Sequence, residues 1–205
     1  MPDTCKIYVV RHGESEANRD DICGGDTPLT AKGREQASEA RQLLENVHFD
    51  AAFSSDLERA VDTAAIIFGH DIPEENRLPA LRERDFGPIE GAPNEAWMAI
   101  KEPWEAKYAA LPFAERSRYD YAEGIENDGE LSDRIMAALE QIATTHSGQI
   151  VLVAAHAGPV RVLLMHLGFA DFLTVGSFKN AGYVELLWDG EHFSIGQVVG
   201  IQKPN

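Results

Sequence analysis

The chain has 205 residues, of which 44% are hydrophobic and 25% are charged, enough for the core of one sizeable domain. A formal net charge of −16 argues against binding to nucleic acid or to anionic membranes, because both need a basic face. Two cysteines without a disulfide or metal-ligand spacing, no bilayer-spanning apolar run and no signal sequence in the first six residues predict a cytoplasmic protein.

The first predicted strand ends on an unusual pair of residues. Residues 7–10 read IYVV, a short apolar run typical of a buried strand. Arg11 and His12 follow at once, and Gly13 then permits a tight turn. An arginine supplies a forked donor for phosphate or carboxylate. For an isolated Arg–His pair, the alternative is a polar strand end that is exposed to solvent.

Two helices in the first half of the chain have N-terminal signals. Thr30 is a good N-cap for a helix that follows it. After a short strand at residues 50–54, Ser55 and Glu58 have the spacing of a capping box. The pattern predicts a helix start there, with Arg59 in the first turn.

The middle of the chain is less regular. Residues 77–82 predict a brief extended stretch, and Glu83 opens the loop that follows. Residues 90–126 are irregular and rich in aromatic side chains. We interpret them as short helices that form a lid insertion rather than a second domain, because a separate domain of that length would be marginally stable.

A second strand in the C-terminal half also ends on histidine. Asn127 and Glu130 predict a capped helix. Residues 150–155 then form the most apolar strand of the chain, and His156 follows it directly. Pro159 suits the first position of the next helix.

The alternation of strands and helices predicts one α/β domain over residues 1–205. We expect a three-layer α/β/α sandwich with a mostly parallel sheet and a small helical lid insertion. Residues 182–188 and 191–198 predict a C-terminal β-hairpin, in which residues 189–190, Asp-Gly, form a two-residue turn. An exposed sheet edge would allow a homodimer.

Ligands of such sheets bind at the carboxyl ends of the strands, where His12 and His156 are predicted to lie. Arg11, Arg59 and Glu83 are expected nearby, and helix N-termini at the same edge favour an anion. A serine hydrolase would need a Gly-x-Ser-x-Gly turn, which is absent. A zinc site would need closely spaced ligands, and two arginines would repel the metal. Phosphoryl transfer through a histidine fits this set best.

Several stretches together resemble the histidine phosphatase superfamily, in its phosphoglycerate mutase-like group. Residues 11–18, RHGESEAN, look like the family signature. Residues 26–37, 54–60 and 81–87 are similar to its first helix entry, its second-arginine motif and its acid loop. His156 stands at the second-histidine position. The matching motifs occur in family order from residue 6 to about residue 165.

The resemblance implies a role for each matching residue. His12 becomes the transiently phosphorylated residue, and Glu83 protonates the leaving alcohol and then deprotonates the attacking water. The implied catalytic set is His12, Glu83, His156, Arg11 and Arg59. The implied substrate-binding set is Arg11, Asn18, Gly24, Arg59, Arg84 and His156. For Arg84 a salt-bridge role is the open alternative, and Asn18 and Gly24 could be turn residues only.

We therefore predict a metal-independent histidine acid–base phosphatase without an organic cofactor, acting on a small phosphorylated metabolite. One alternative is a cofactor-dependent phosphoglycerate mutase. Another is a non-catalytic protein that binds phosphorylated ligands or other proteins. This last alternative arises because Ala155 and Ala157 flank His156, where the family usually has a small hydroxyl residue and glycine. The natural substrate does not follow from the sequence.

Overall fold

Five strands form one sheet in the computed structural model, which describes residues 4–111, 113–170 and 176–202. They are β1 (Cys5–Arg11), β2 (Ala51–Ser54), β3 (Ile150–Ala155), β4 (Ser177–Trp188) and β5 (Phe193–Gln202). Their order across the sheet is β2-β3-β1-β4-β5. The first three strands are mutually parallel, and the C-terminal hairpin of β4 and β5 joins antiparallel to β1. The predicted α/β class is confirmed, with a mixed sheet whose core is parallel.

Helices pack on both faces of this sheet. They are α1 (Glu16–Arg19), α2 (Ala31–Leu43), α3 (Glu58–Phe68), α4 (Asn94–Ala110), α5 (Phe113–Arg116), α6 (Asp128–Thr145) and α7 (Ala157–His166). Alternate residues of β1 point to opposite faces. Ile7 and Val9 join a core with α6 and α7, whereas Tyr8 and Val10 join a core with α2 and α3. This produces the three predicted layers. Within the described ranges, no helix is long and apolar enough to cross a membrane.

Local signals set several helix ends as predicted. The Thr30 hydroxyl accepts a hydrogen bond from the Gly33 amide at 3.0 Å and caps α2. Asn127 and Glu130 form a reciprocal capping box at the start of α6. These contacts satisfy amides that the first helical turn leaves without partners.

The start of α3 differs from the prediction. The N-cap is Leu57, which makes no side-chain capping bond, so the predicted capping box at Ser55 is wrong. The Ser55 hydroxyl instead contacts His156, 101 residues further along the chain. Pro159 also lies at the third position of α7 rather than the first, because the helix already begins at Ala157.

Two further differences concern short connections. Residues 77–82 are not a strand: Pro79–Leu81 is a 3-10 helix, and Arg77 makes one isolated bridge to Ser54. The hairpin turn extends beyond the predicted two residues. The Asp189 carboxylate accepts hydrogen bonds from the amides of Glu191 and His192 at 2.9 and 2.8 Å. This side-chain turn keeps both residues out of the β5 ladder.

Residues 90–126, the lid segment, were predicted to form short helices; they contain the four-residue helix α5 and also the much longer α4, of 17 residues. Apolar and aromatic side chains form a small core of their own there, with Trp104 and Tyr121 stacked at a ring-centroid distance of 4.1 Å. Met165 of α7 packs against this cluster. The packing fixes the lid segment beside the C-terminal half of α7.

Candidate active site

Parallel pairing of β1 with β3 brings the two strand-end histidines together. Arg11 lies opposite Ala155 in the register, and the His12 amide donates to the Ala155 carbonyl at 3.0 Å. The imidazole rings of His12 and His156 then lie 4.9 Å apart, centroid to centroid. The sequence placed both histidines at one edge of the sheet, and the strand order makes them neighbours.

The turn after His12 requires glycine because another backbone segment approaches it. A Cβ on Gly13 would lie 2.2 Å from the Gly33 carbonyl oxygen. The Gly13 amide donates to the Thr63 hydroxyl at 3.1 Å, and that hydroxyl donates to the Arg59 carbonyl at 2.7 Å. These bonds fix the position of His12 relative to the first turn of α3.

His12 is oriented with one nitrogen toward the backbone. Its Nδ1 lies 2.6 Å from the Gly13 carbonyl oxygen, which can only accept, so Nδ1 carries the proton. Nε2 accepts a hydrogen bond from Arg59 Nε at 3.2 Å. Burial, followed by the charges of Arg59 and Arg11, lowers the pKa of His12 well below its usual value. The ring is therefore neutral near pH 7, with a lone pair on Nε2.

Ser55 determines the tautomer of His156. The Ser55 Oγ is 2.7 Å from His156 Nε2 and accepts from the Leu57 amide at 3.3 Å. Ser55 is fully buried, so its hydroxyl proton has no access to water, and of its two contacts only His156 Nε2 can accept a proton. We therefore assign the hydroxyl hydrogen bond as a donation to Nε2. His156 then carries its own proton on Nδ1, an atom without a hydrogen-bond partner among the described residues.

Burial also lowers the pKa of His156 well below its usual value, and the neighbouring His12 adds to the effect. Ser55 was not predicted as a site residue, because its local spacing indicated a helix cap. Ala155 lacks the hydroxyl usual in the family at that position, but the Ser55 hydroxyl contacts the imidazole from another strand end. The alanine therefore does not leave Nε2 without a partner.

One buried and one half-buried arginine flank His12. Arg59 is 3% exposed, and it donates to His12 and to the Gly25 carbonyl. Arg11 donates to the Phe178 carbonyl, and its Nε has no partner within the described part of the chain. Burial lowers the pKa of both guanidinium groups, although each stays protonated near neutral pH. Buried cations of this kind are stabilised by an anion.

Glu83 lies at the N-terminus of α7. Its carboxylate accepts hydrogen bonds from the Gly158 amide at 3.0 and 3.2 Å and from the Arg84 amide at 2.9 Å. A Cβ on Gly158 would lie 2.1 Å from Glu83 Oε1, so this approach depends on the missing side chain. The contacts position the carboxyl group at the rim of the site.

Asn18 and Gly24 occupy the polar loop beside His12. The Asn18 side chain completes the capping box of α1 with Ser15, and it also accepts from Asn180 at 3.2 Å. Gly24 has a φ of +62°, a region that favours glycine. A Cβ there would also meet the Glu90 carboxylate at 2.0 Å. Both residues border the cavity that contains His12.

Arg84 lies outside the wall of that cavity. It forms an ion pair with Asp128 at 2.5 Å and donates to the Glu126 carbonyl. Its guanidinium carbon is 4.6 Å from the Tyr121 ring centroid. The salt-bridge alternative is thus present in the structure, and contact with a substrate stays a prediction.

The residues around His12 enclose a cavity of about 160 Å³, which we call the catalytic cavity. Its wall includes six of the predicted residues: Arg11, His12, Asn18, Gly24, Arg59 and Glu83. Phe86, Asn94 and Trp97 also line it, and no sequence motif had indicated them as site residues. His156 has no exposed surface and lies beside His12. Among the described residues, no cluster of three or more His, Cys, Asp or Glu side chains could hold a metal ion.

A family model described as "Histidine phosphatase superfamily (branch 1)" matches residues 7–199. The chain therefore belongs to this superfamily, as its motifs predicted. It is 33% identical over 183 residues to the metal-independent phosphoserine phosphatase of Arabidopsis thaliana, a match that covers 87% of this chain and 74% of that protein.

The chain is also similar to a phosphoglycerate mutase and to a protein of solved structure. The 2,3-bisphosphoglycerate-dependent phosphoglycerate mutase of Rhizobium etli is 34% identical over 188 residues, covering 83% of this chain and 85% of that protein. The solved structure of YhfR from Bacillus stearothermophilus superposes with a TM-score of 0.79 at 25% identity, covering 96% of each chain. Phosphatases and mutases thus share this fold and family.

Proposed function

We propose that the protein is a phosphatase that hydrolyses a small phosphomonoester through a phosphohistidine at His12. One observation carries this proposal: a neutral, buried His12 has its Nε2 lone pair beside the buried Arg59, with the half-buried Arg11 in the same cavity wall. Among the described residues that form the cavity wall, Glu83 is the single acid against Arg11 and Arg59. A cavity with excess positive charge in a chain of net charge −16 favours an anionic ligand.

In the first step, His12 Nε2 attacks phosphorus, so that a P–N bond forms and the bond from phosphorus to the ester oxygen breaks. Arg59 Nε turns from His12 to a phosphoryl oxygen when substrate binds, which frees the lone pair. Arg11 and the Nδ1–H of His156 stabilise the other phosphoryl oxygens. Glu83 gives its proton to the leaving oxygen.

In the second step, Glu83 removes a proton from water, and the water oxygen attacks phosphorus. The P–N bond breaks, inorganic phosphate forms, and Nε2 regains its lone pair. The protein thus returns to its starting protonation state. Most of the rate enhancement in this scheme comes from positioning and charge stabilisation.

The size of the site supports a small substrate. The catalytic cavity of about 160 Å³ is below the roughly 300 Å³ at the lower end for drug-sized ligands. Aromatic side chains of the lid segment and the preceding loop, Trp97 and Phe86, narrow it. A small phosphorylated metabolite fits such a site better than a folded phosphoprotein.

The test is to incubate the protein with 4-nitrophenyl phosphate and a panel of phosphorylated metabolites. Phosphate release and acid-labile phosphate on the chain would both be recorded. We expect His12→Ala to abolish the labile adduct and to lower turnover by about 10³-fold or more. The matched control is His48→Ala, since His48 is exposed and outside the site. EDTA should leave turnover intact.

Absence of release and of adduct across the panel would contradict the proposal and favour a protein that only binds phosphorylated ligands. Activity that EDTA abolishes and zinc or magnesium restores would contradict metal independence. The mutase alternative is supported by the 34% identity to a phosphoglycerate mutase. Exchange of phosphate between 2- and 3-phosphoglycerate, faster than phosphate release, would establish it instead.

A further inference from the structure

Arg134, in the second turn of α6, contacts the backbone of the segment that carries Glu83. Its Nη1 donates to the carbonyls of Ala80 and Arg82 at 2.9 and 2.8 Å, and its Nη2 donates to the Glu83 carbonyl at 2.8 Å. Arg82 and Glu83 lie outside the helices and the sheet, and no backbone amide among the described residues donates to their carbonyls. Arg134 therefore supplies partners that the local backbone does not.

The other donors of Arg134 bind Glu126, which lies two residues before α6. Arg134 Nε is 2.6 Å from Glu126 Oε1, and Nη2 is 2.9 Å from Oε2. With the three carbonyls, these contacts engage all five N–H donors of the guanidinium group. The two side chains are 25% and 12% exposed, so water competes only weakly for these bonds. We call Arg134 and Glu126 the support pair.

The support pair also reaches the other side of Glu83. The Glu126 carboxylate accepts a hydrogen bond from the Asp85 amide at 3.1 Å, and the Glu126 amide donates to the Asp85 carbonyl at 3.0 Å. Backbone groups from residue 80 to residue 85 are thus bound to one pair of side chains, with Glu83 inside that range.

The position of this backbone matters for proton transfer by Glu83. A general acid must come within about 2.6–3.2 Å of the atom that it protonates. A misplacement of about 1 Å is enough to lower the rate about 10²-fold. Arg134 and Glu126 are not among the described residues that line the catalytic cavity, so they act on the reaction only through other residues.

From these contacts we infer that Arg134, together with Glu126, is a positioning residue for the proton donor Glu83. The role requires the planar fork of arginine, because the three donors of a lysine diverge from one atom and cannot span three carbonyls and a carboxylate. The inference rests on the proposed function, since it gives Arg134 a role only in a reaction in which Glu83 transfers the proton.

The experiment measures kcat/KM for phenyl phosphate and for 4-nitrophenyl phosphate, which have rings of similar size. This parameter reports the step in which the ester bond breaks, and phenolate, the more basic leaving group, needs the proton more. Arg134→Met should lower kcat/KM about 10-fold for phenyl phosphate and less than about 3-fold for 4-nitrophenyl phosphate. Arg134→Lys should restore part of the loss, and Glu126→Gln should show the same pattern with a smaller loss.

A double variant tests whether Arg134 acts through Glu83. In Glu83→Gln no proton donor is left to position. Adding Arg134→Met to it should therefore change kcat/KM for phenyl phosphate less than about 2-fold. If the two residues act independently, the double variant will show the product of the two single losses, and the inference is then wrong.

Arg118→Met is the matched control. Arg118 pairs at 2.7 Å with Asp133, the neighbour of Arg134 in α6, and both side chains of that pair are more than half exposed. We expect both kcat/KM values of this variant to stay within about 2-fold of wild type. Far-UV circular dichroism and urea unfolding report whether each variant is folded. If Arg134→Met does not fold, Arg134→Lys and Glu126→Gln decide the test.

The positioning role and the proposed function fail in different ways. If the wild-type protein hydrolyses both aryl phosphates but every folded variant of the support pair loses the same factor on each, Arg134 has a structural role only. Wild-type kinetics in all folded variants of the support pair would overturn the inference as well. No phosphate release from any compound by the wild-type protein would contradict the proposed phosphatase itself.

Discussion

The catalytic cavity has two walls that differ in how they are built. The wall at the sheet edge consists of Arg11, His12 and Arg59: Arg11 ends β1, His12 follows it, and Arg59 lies in the first turn of α3. The other wall, the aromatic wall, consists of Phe86 from a loop and Trp97 from the lid segment, whose ring centroids are 5.3 Å apart. Charged groups on a rigid core suit the chemistry, and aromatic groups on a separate cluster suit the selection of a substrate.

Glu83 lines the same cavity, and among substitutions that retain His12 its substitution should have the largest effect. Glu83→Gln keeps the shape of the side chain but removes the acid. We expect kcat on an alkyl phosphate to fall about 10²-fold, since the leaving alkoxide needs a proton, and kcat on 4-nitrophenyl phosphate to fall less than about 10-fold. Steady-state kinetics on both substrates measures this difference. Equal losses would show that Glu83 is not the proton donor.

Ser55→Ala tests the wall at the sheet edge without touching a residue proposed to contact substrate. Ser55 is a positioning residue, because its hydroxyl fixes the Nδ1–H tautomer of His156. Its loss should lower kcat about 10-fold with little change in KM, since one stabilising donor is no longer fixed in place. The ¹⁵N chemical shifts of His156 should change from the Nδ1–H pattern toward a mixture of tautomers.

Ser54→Ala is the matched control for that experiment. Ser54 is equally buried and adjacent, but its hydroxyl has no partner among the described residues. We expect its kinetics and its histidine spectra to match those of the wild-type protein. If Ser54→Ala loses as much activity as Ser55→Ala, or if Ser55→Ala keeps the wild-type tautomer, the positioning role is wrong.

The smallest expected effect is on the free energy of unfolding. It depends on the histidines at the sheet edge and not on the aromatic wall. The pKa values of His12 and His156 in the folded protein are below the ordinary value near 6.5. At pH values below about 6.5 the histidines of the unfolded chain are protonated and those of the folded protein are not. The free energy of unfolding therefore decreases as the pH falls. We expect a loss of about 1–2 kcal/mol per histidine between pH 7 and pH 5.

Urea unfolding at several pH values measures that loss. His156→Gln should make the dependence between pH 5 and pH 7 shallower, because one buried imidazole no longer titrates on unfolding. A Trp97→Phe variant in the aromatic wall should retain the full dependence, since neither side chain titrates. An unchanged pH dependence in His156→Gln would contradict the assignment of a buried, neutral imidazole.

Short sequence patterns correctly predicted the helix ends that depend only on contacts within one helical turn. The cap at Thr30 and the capping box of Asn127 with Glu130 need only residues within one helical turn, and both are confirmed. Ser55 and Glu58 carried the same kind of signal, but there a tertiary contact with His156 replaced the cap. A pattern of four residues contains no information about a partner 101 residues away.

From the sequence alone followed the α/β class, the family and six of the residues that line the cavity of His12, because apolar strands ending on charged side chains and four ordered motifs are local features. Three features depend on tertiary contacts: which strand ends are neighbours, the tautomer assigned to His156, and the hydrogen bond of Arg134 to the backbone at Glu83. These depend on strand order and on the packing of α6 beside the loop of Glu83, which arise from contacts between residues far apart in the chain.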